Sequence, residues 1–315
     1  MSSVGLPVRP PRAQSRRRLS EAARGCLDGL ALTTGQAAAN DFFREVSTVI
    51  RKPVVAGQFY SGSASALTAE VASHLAADVT PRSAVAAVVP HAGYVYSGPV
   101  AGAVYGRLRL PETVVILAPN HTGMGRPISV WEAGEWVTPL GSVGVDEALA
   151  AALLREFAEA TSDTDAHLME HSIEVQLPFL QALREDVKIL PVVLSVASSA
   201  TLKALGCCLA ELVEKHEPET LLLATTDMTH YEPQEVAERQ DRLALERVLE
   251  VDADGLWQVV LENDISMCGY MPTTAVLAYA RSRGARSAEL VRYETSGDRT
   301  GDRSSVVGYA GVIIG

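Results

Sequence analysis

Apolar and polar positions alternate along this chain in two periods, short continuous apolar runs and longer stretches with one apolar face, and the two kinds of segment follow each other in turn. The clearest case runs from Ala84 to His121, AVAAVVPHAGYVYSGPVAGAVYGRLRLPETVVILAPNH. Two runs rich in Val, Ile and Ala, bounded by Pro and Gly, read as buried strands. The intervening SGPVAGAVYGRL has the length and small apolar face of a crossover helix. Strands joined in this way are parallel with a right-handed crossover, so both run out at the same edge of the sheet. Ligand sites in open α/β sheets form outside those carboxyl ends. His91 and His121 stand just past the two runs, where two imidazoles can share one ion or one substrate.

The same patterning covers the rest of the chain from Arg51. RKPVVAGQFY predicts a short extended piece, followed by a turn at Ser61-Gly62 and a helix with Leu67, Val71 and Leu75 on one face. His74 lies inside that helix and reads as structural. RPISVWEAGEWVTPLGSVGV predicts a β-hairpin near the site, leading into the helix DEALAAALLREFAEA. KILPVVL, residues 188–194, is a further buried strand, with the helix LKALGCCLAELVEKH behind it. A strand over Leu221–Ala224 then delivers Asp227, His230 and Tyr231, and a carboxylate three positions from an imidazole can orient that ring for acid/base work. Helices follow over Gln234–Leu249, Ala253–Glu262 and from Pro272, and the chain closes on two strands around a Gly/Asp/Arg loop. The expected class is α/β with a mostly parallel central sheet.

A single histidine after a strand is more often a loop residue bonded to backbone than a ligand. Two of them, each flanked by Pro and followed at two residues by Gly93 or Gly123, shift that balance, because glycine permits positive φ or close approach. His167-Leu168-Met169-Glu170-His171 fits the H-x-x-E-H pattern of inverted zincins, which raises a zinc peptidase as a minor alternative. The turn-like stretch before it places the helix start near Glu170 or His171, which takes His167 off the helical face. Glu170, His171 and Glu174 are then expected to point at the shared pocket. Cys268-Gly269 precedes a helix, a position that can lower a thiol pKa and favour metal ligation, although a buried inert cysteine is the default.

Composition narrows the class. Lys and Arg number 27 against 38 Asp and Glu, a net charge of −11, which disfavours nucleic acid as a partner. No apolar run reaches the roughly 18–20 residues of a membrane span. The four cysteines include the adjacent pair Cys207 and Cys208 and have no framework spacing, which suits a reducing cytoplasm. Residues 1–50 stand apart. Their first 24 carry Arg9, Arg12, Arg16, Arg17, Arg18 and Arg24 against the single acid Glu21, and are read as a basic, disordered extension in preference to the transit peptide they resemble. The packed domain is expected over residues 51–315.

Several segments taken together resemble the Memo family, whose bacterial members are called AmmeMemoRadiSam system protein B: PVVAGQFY from Pro53, PHAGYVYSG, APNHTG, EHSIEVQLPFL, ILPVVL, the strand ending in Asp227 to His230, CGYMPTTAVL and SVVGYAGVII. They run in the family's order from about Arg51 to the C-terminus. The resemblance implies a single-domain α-β-α sandwich similar to LigB-type class III extradiol dioxygenases, with metal in a cleft. It implies His91, His121 and Cys268 as metal ligands, with Asp227 and His230 as catalytic pocket residues, His230 standing where the dioxygenases place an acid/base histidine. Glu170, His171, Tyr94 and Asn120 complete the expected site as substrate-binding residues. The dioxygenases use a carboxylate where Cys268 stands; a thiolate is softer and suits iron, copper or zinc. Iron or copper is the expected cofactor, with an AMMECR-type protein and a radical SAM enzyme as implied partners. Two function classes follow: a metal-dependent redox enzyme acting on a small molecule, or a metal-binding scaffold that holds a peptide or partner without chemistry.

Overall fold

In the computed structural model, the residues described are 49–75, 79–216 and 219–315. The expectation of a disordered arm over residues 1–50 falls almost entirely outside them. The strands are β1 (Ile50–Arg51), β2 (Ala86–Val89), β3 (Thr113–Pro119), β4 (Ile128–Val130), β5 (Glu135–Thr138), β6 (Gly141–Val145), β7 (Thr161–Ser162), β8 (Lys188–Leu194), β9 (Leu221–Thr225), β10 (His230–Glu232), β11 (Ala288–Thr295) and β12 (Val306–Ile314). They form one sheet with the order β1-β5-β6-β8-β3-β9-β2-β12-β10; β11 pairs with β12, and β4 bridges β8 and β7. Along that order the neighbours from β6 to β2 are parallel, with antiparallel pairs at β5–β6 and β2–β12 on either side and β4 running antiparallel against β8.

The central strands are buried on both faces, which is why they read as continuous apolar runs without polar alternation. Their side chains still alternate between two cores. Val88, Val115, Leu117, Leu222 and Ala224 face helices Glu147–Glu156, Ser199–His216, Gln234–Leu249, Ala253–Glu262 and Tyr270–Ser282. Ala87, Val89, Val114, Ile116, Leu221 and Leu223 face helices Ala64–His74, Tyr94–Tyr105 and Leu177–Leu183. The result is the three-layered α-β-α arrangement. The βαβ reading of Ala84–His121 holds, with helix Tyr94–Tyr105 as the crossover, but β2 and β3 are not neighbours: β9 lies between them and pairs with both. The hairpin is β5–β6. It joins the main sheet through β8, so it is a scaffold element and does not flank the histidines.

A second, polar, cluster ties the start of the domain to the segment that leads into the site. Arg51 and Glu174 are both fully buried and form an ion pair. Glu174 also accepts from the backbone N–H of Val54 and Val55 and, at 2.7 Å, from the Tyr60 hydroxyl, so its lone pairs are used. It therefore serves the scaffold and does not reach the pocket. The Arg51 guanidinium lies 4.6 Å from the centroid of the Trp136 ring and donates to the carbonyl of His167. His167 is packed edge-on against Trp131 and Trp136, with one ring nitrogen 3.2 Å from the Ser129 carbonyl and the other with no hydrogen-bond partner among the described residues.

Removing one member of a buried, hydrogen-bonded ion pair leaves the other uncompensated. Arg51→Met is expected to lower unfolding free energy by about 3–5 kcal/mol, read from urea midpoints, and a midpoint equal to wild type refutes this view of the pair. Burial pushes His167 down from 6.5 to about 4. A depressed folded value means a stability contribution present above the unfolded pKa and lost as pH falls through the folded one. Acidification from pH 7 to about 4 should therefore cost on the order of 3 kcal/mol through this ring. His167→Gln should flatten that part of the stability profile in urea titrations run across the same range.

Candidate metal centre

Three adjacent strands, ordered β3-β9-β2, end at one edge, and each delivers a polar residue two positions past its last residue: His121 after Pro119, Asp227 after Thr225 and His91 after Val89. The insertion of β9 between the two halves of the βαβ unit opens a crevice there, and the three side chains come from rigid strand ends. The fourth contributor is the segment between Leu168 and Glu174, which lies across the edge and brings Glu170 and His171.

His91, His121 and His171 each offer a ring nitrogen, and these three atoms lie within 4.8 Å of one another. Ring centroids are 5.1 Å apart for His91 and His121, 5.5 Å for His91 and His171, and 4.7 Å for His121 and His171. Two of the other nitrogens are fixed. His91 Nδ1 is 2.6 Å from Thr225 Oγ1, and His121 Nδ1 is 2.9 Å from the Glu170 carboxylate. A polar group on Nδ1 that leaves Nε2 aimed inward is how proteins orient metal-binding histidines. Gln176 supports Thr225 from behind, its amide donating to the Pro90 carbonyl at 2.9 Å and to Thr225 Oγ1 at 3.3 Å.

Glu170 is fully buried and accepts from the backbone N–H and ring of His121, the N–H of His171, and the N–H and hydroxyl of Ser172. Burial opposes its ionisation, but the hydrogen bond and charge of His121 outweigh that and hold its pKa at about 2. In return Glu170 raises His121 against the effect of burial. His91, wholly enclosed, is pushed well below its ordinary value by burial and by the neighbouring histidines, and His171 is lowered chiefly by burial. Two neutral imidazoles and one imidazole paired to a buried carboxylate are a donor set that suits a divalent transition metal.

Cys268 Sγ sits 3.2 Å from His91 Nε2 and accepts from the backbone N–H of Asp227 at 3.2 Å. It borders the cluster without joining the group of mutually close nitrogens. Gly269 lets the segment approach: a Cβ there would stand 2.4 Å from the Thr225 carbonyl oxygen. The lowered thiol pKa expected at a helix entrance is not found, because burial, reinforced by the charge of Asp227, pushes the thiol strongly up. Asp227 accepts from the His91 N–H at 2.8 Å, and burial raises its carboxyl to about 6. It does not orient His230. That ring is held by the Ser266 carbonyl, 2.9 Å from Nδ1, with the Ser266 hydroxyl accepting from the His230 N–H. The next residue, Tyr231, has φ +59° and is exposed, a strained backbone position at the site's margin.

Two expected substrate-binding residues have scaffold roles. Tyr94 is buried in the core, its hydroxyl donating to the Val175 carbonyl at 2.6 Å. Asn120 closes its own loop, accepting from Thr122 and Gly123 and donating to the Met124 carbonyl, with Gly123 at φ +69°. The inverted zincin arrangement does not form. The helix carrying His167 spans only Asp165–Leu168, and helical structure resumes at Glu174, so His167 and His171 share no face. Nothing in the local sequence pattern singles out Thr225, Ser172 or Gln176 as supports of the site. The only trace of Thr225 in the sequence is a polar residue closing an otherwise apolar strand.

A family model described as Memo-like protein matches residues 51–313. A MEMO1 family protein of Methanothermobacter thermautotrophicus is 41% identical over 83% of this chain and 99% of its own length. One from Sulfolobus acidocaldarius is 40% identical over 85% of this chain and 100% of its own. A Methanopyrus kandleri relative is 40% identical over 84% and 98%. The matched span contains every residue of the crevice, and the chain belongs to the Memo family.

Proposed function

We propose that the crevice holds one redox-active transition metal, iron or copper, and that the protein uses it in oxidative chemistry on a small molecule. The observation that carries this reading is the convergence of three imidazole nitrogens within 4.8 Å, two of them with their second nitrogen fixed by Thr225 and Glu170. His91 and His121 are the ligands common to every arrangement; His171 and Cys268 compete for the third position. A mixed nitrogen and sulfur set favours copper or iron over the hard oxygen-seeking ions. When bound, such an ion supplies Lewis-acid and one-electron chemistry at the cleft.

The chain's own residues provide the rest. Glu170 fixes the His121 ring and balances cationic charge from a position no solvent reaches. His230, with Nδ1 against a carbonyl acceptor, is held as the Nδ1–H tautomer and keeps Nε2 free to accept a proton. Asp227 accepts from the backbone N–H of His91 and holds that ligand's loop in place beside the cleft.

A second reading, in which the same cleft docks a peptide or a partner such as an AMMECR-type or radical SAM protein, is favoured by apolar exposure near the site residues. Val95, Tyr96, Met124, Leu168, Met169 and Tyr231 are exposed and each lies within five positions of His91, His121, Glu170 or His230.

Elemental analysis of protein purified anaerobically should find about one iron or copper per chain, as one three-ligand site requires. His91→Ala should abolish it, and Glu170→Gln should weaken metal affinity roughly 10–100-fold. Full metal content in His91→Ala refutes the centre. In an oxygen-uptake assay with phenolic substrates, the metal-loaded protein should consume oxygen and His230→Gln should slow it by about 100-fold or more. Metal without uptake favours the docking reading.

A further inference from the structure

The opposite edge of the same sheet carries a cavity of about 470 Å³ whose lining differs from that of the crevice. It is bounded by residues at the entry to the central strands, Val85 next to β2, Pro111 two positions before β3 and Thr220 next to β9. Three guanidinium groups, Arg109, Arg184 and Arg283, line it, with Glu219 as the acidic side chain. In a chain of net charge −11, a cavity with three arginines runs against the overall field.

The arginines are placed by neutral groups as well as by acids. Arg109 donates through Nη2 to the Ser83 hydroxyl at 2.8 Å and through Nε to the same oxygen at 3.3 Å, so its charge faces a hydroxyl and not a carboxylate. Arg184 donates to the Leu110 carbonyl at 3.3 Å and is paired with the exposed Asp186 carboxylate at two points, Nε at 2.8 Å and Nη2 at 3.0 Å, so part of its fork is already engaged and a ligand would share it with that acid. Arg109 is therefore anchored to Ser83, ahead of β2, and Arg184 to Leu110, ahead of β3, and both line the same space. The charge of Arg283 acts on the phenol of Tyr279, which also lines the cavity. Leu110, Pro111, Ala84 and Val85 supply an apolar wall beside the charged one. The volume falls within the range of small-molecule sites, and planar guanidinium forks match the oxygens of phosphate better than any other side chain does.

We infer that this cavity binds a phosphate-bearing small molecule through Arg109 and Arg184, at a site separate from the metal crevice. The step of ten positions from Pro111 to His121, most of it β3, puts the two sites roughly 30 Å apart. The ligand does not share a reaction space with the histidines.

Calorimetric titration of the full chain with inorganic pyrophosphate, at low ionic strength, should show saturable binding at one site per chain. Arg109→Gln and Arg184→Gln should each weaken it by about tenfold or more, the size expected for loss of one charge-assisted hydrogen-bonding group. Arg109 is exposed, so its variant should keep the wild-type urea midpoint, and affinity loss with an unchanged midpoint supports the site. Absence of saturable binding, equal affinity in Arg109→Gln, or tighter binding of succinate than of pyrophosphate overturns it.

Discussion

The carboxylate of Glu170 is the constraint on which the crevice depends. A carboxylate with no exposure is tolerated only when its oxygens are fully engaged, and this one takes five donors from two separate loops. Those donors are the backbone and ring of His121 on one side and the backbone of His171 and Ser172 on the other. The same contacts that make the buried charge affordable therefore set where both rings point. The loop after β3 and the segment after Leu168 are not paired as strands among the described residues; the Glu170 carboxylate and the stacked rings of His121 and His171 join them.

Behind it, the Arg51–Glu174 pair holds the other end of the same segment. Arg51 reaches the carbonyl of His167, so the entry to the Glu170 turn is gripped from the start of the domain. Two buried acids four positions apart thus do different work. Glu174 is neutralised by a guanidinium and serves packing, whereas Glu170 is satisfied by hydrogen bonds and an imidazole and serves the site.

The sheet supplies the remaining geometry. Placing β9 between β2 and β3 spreads the two histidines and brings Thr225 and Asp227 between them, one to fix the His91 ring and the other to fix its backbone. Cys268 arrives from the helix layer and is admitted by the missing side chain of Gly269. Its thiol is poor at ionising where it stands, because burial and a nearby carboxylate both resist a second negative charge. A cation in the crevice would reverse that balance, which makes the state of this sulfur a direct report on occupancy.

Local pattern was enough to place the central strands, the crossover helix and the histidines past two strand ends, but not the short edge strands β7 and β10. Burial on both faces leaves continuous apolar runs, and a parallel connection admits one hand. Segment-by-segment likeness in the right order also identified the family, since such order survives where single motifs do not. Pattern could not show that a third strand, a hundred residues later, would wedge between β2 and β3, because strand order follows from long-range packing that leaves no periodic trace. For the same reason, His171 reads as a motif fragment in the sequence and becomes a cluster member in space, while Tyr94 and Asn120 beside the histidines turn into the scaffold. Proximity along the chain sets which residues emerge near an edge; which way each side chain faces is settled by the donors and acceptors it meets there. Those partners, Glu170, Thr225 and Ser266, come from elements far apart in sequence.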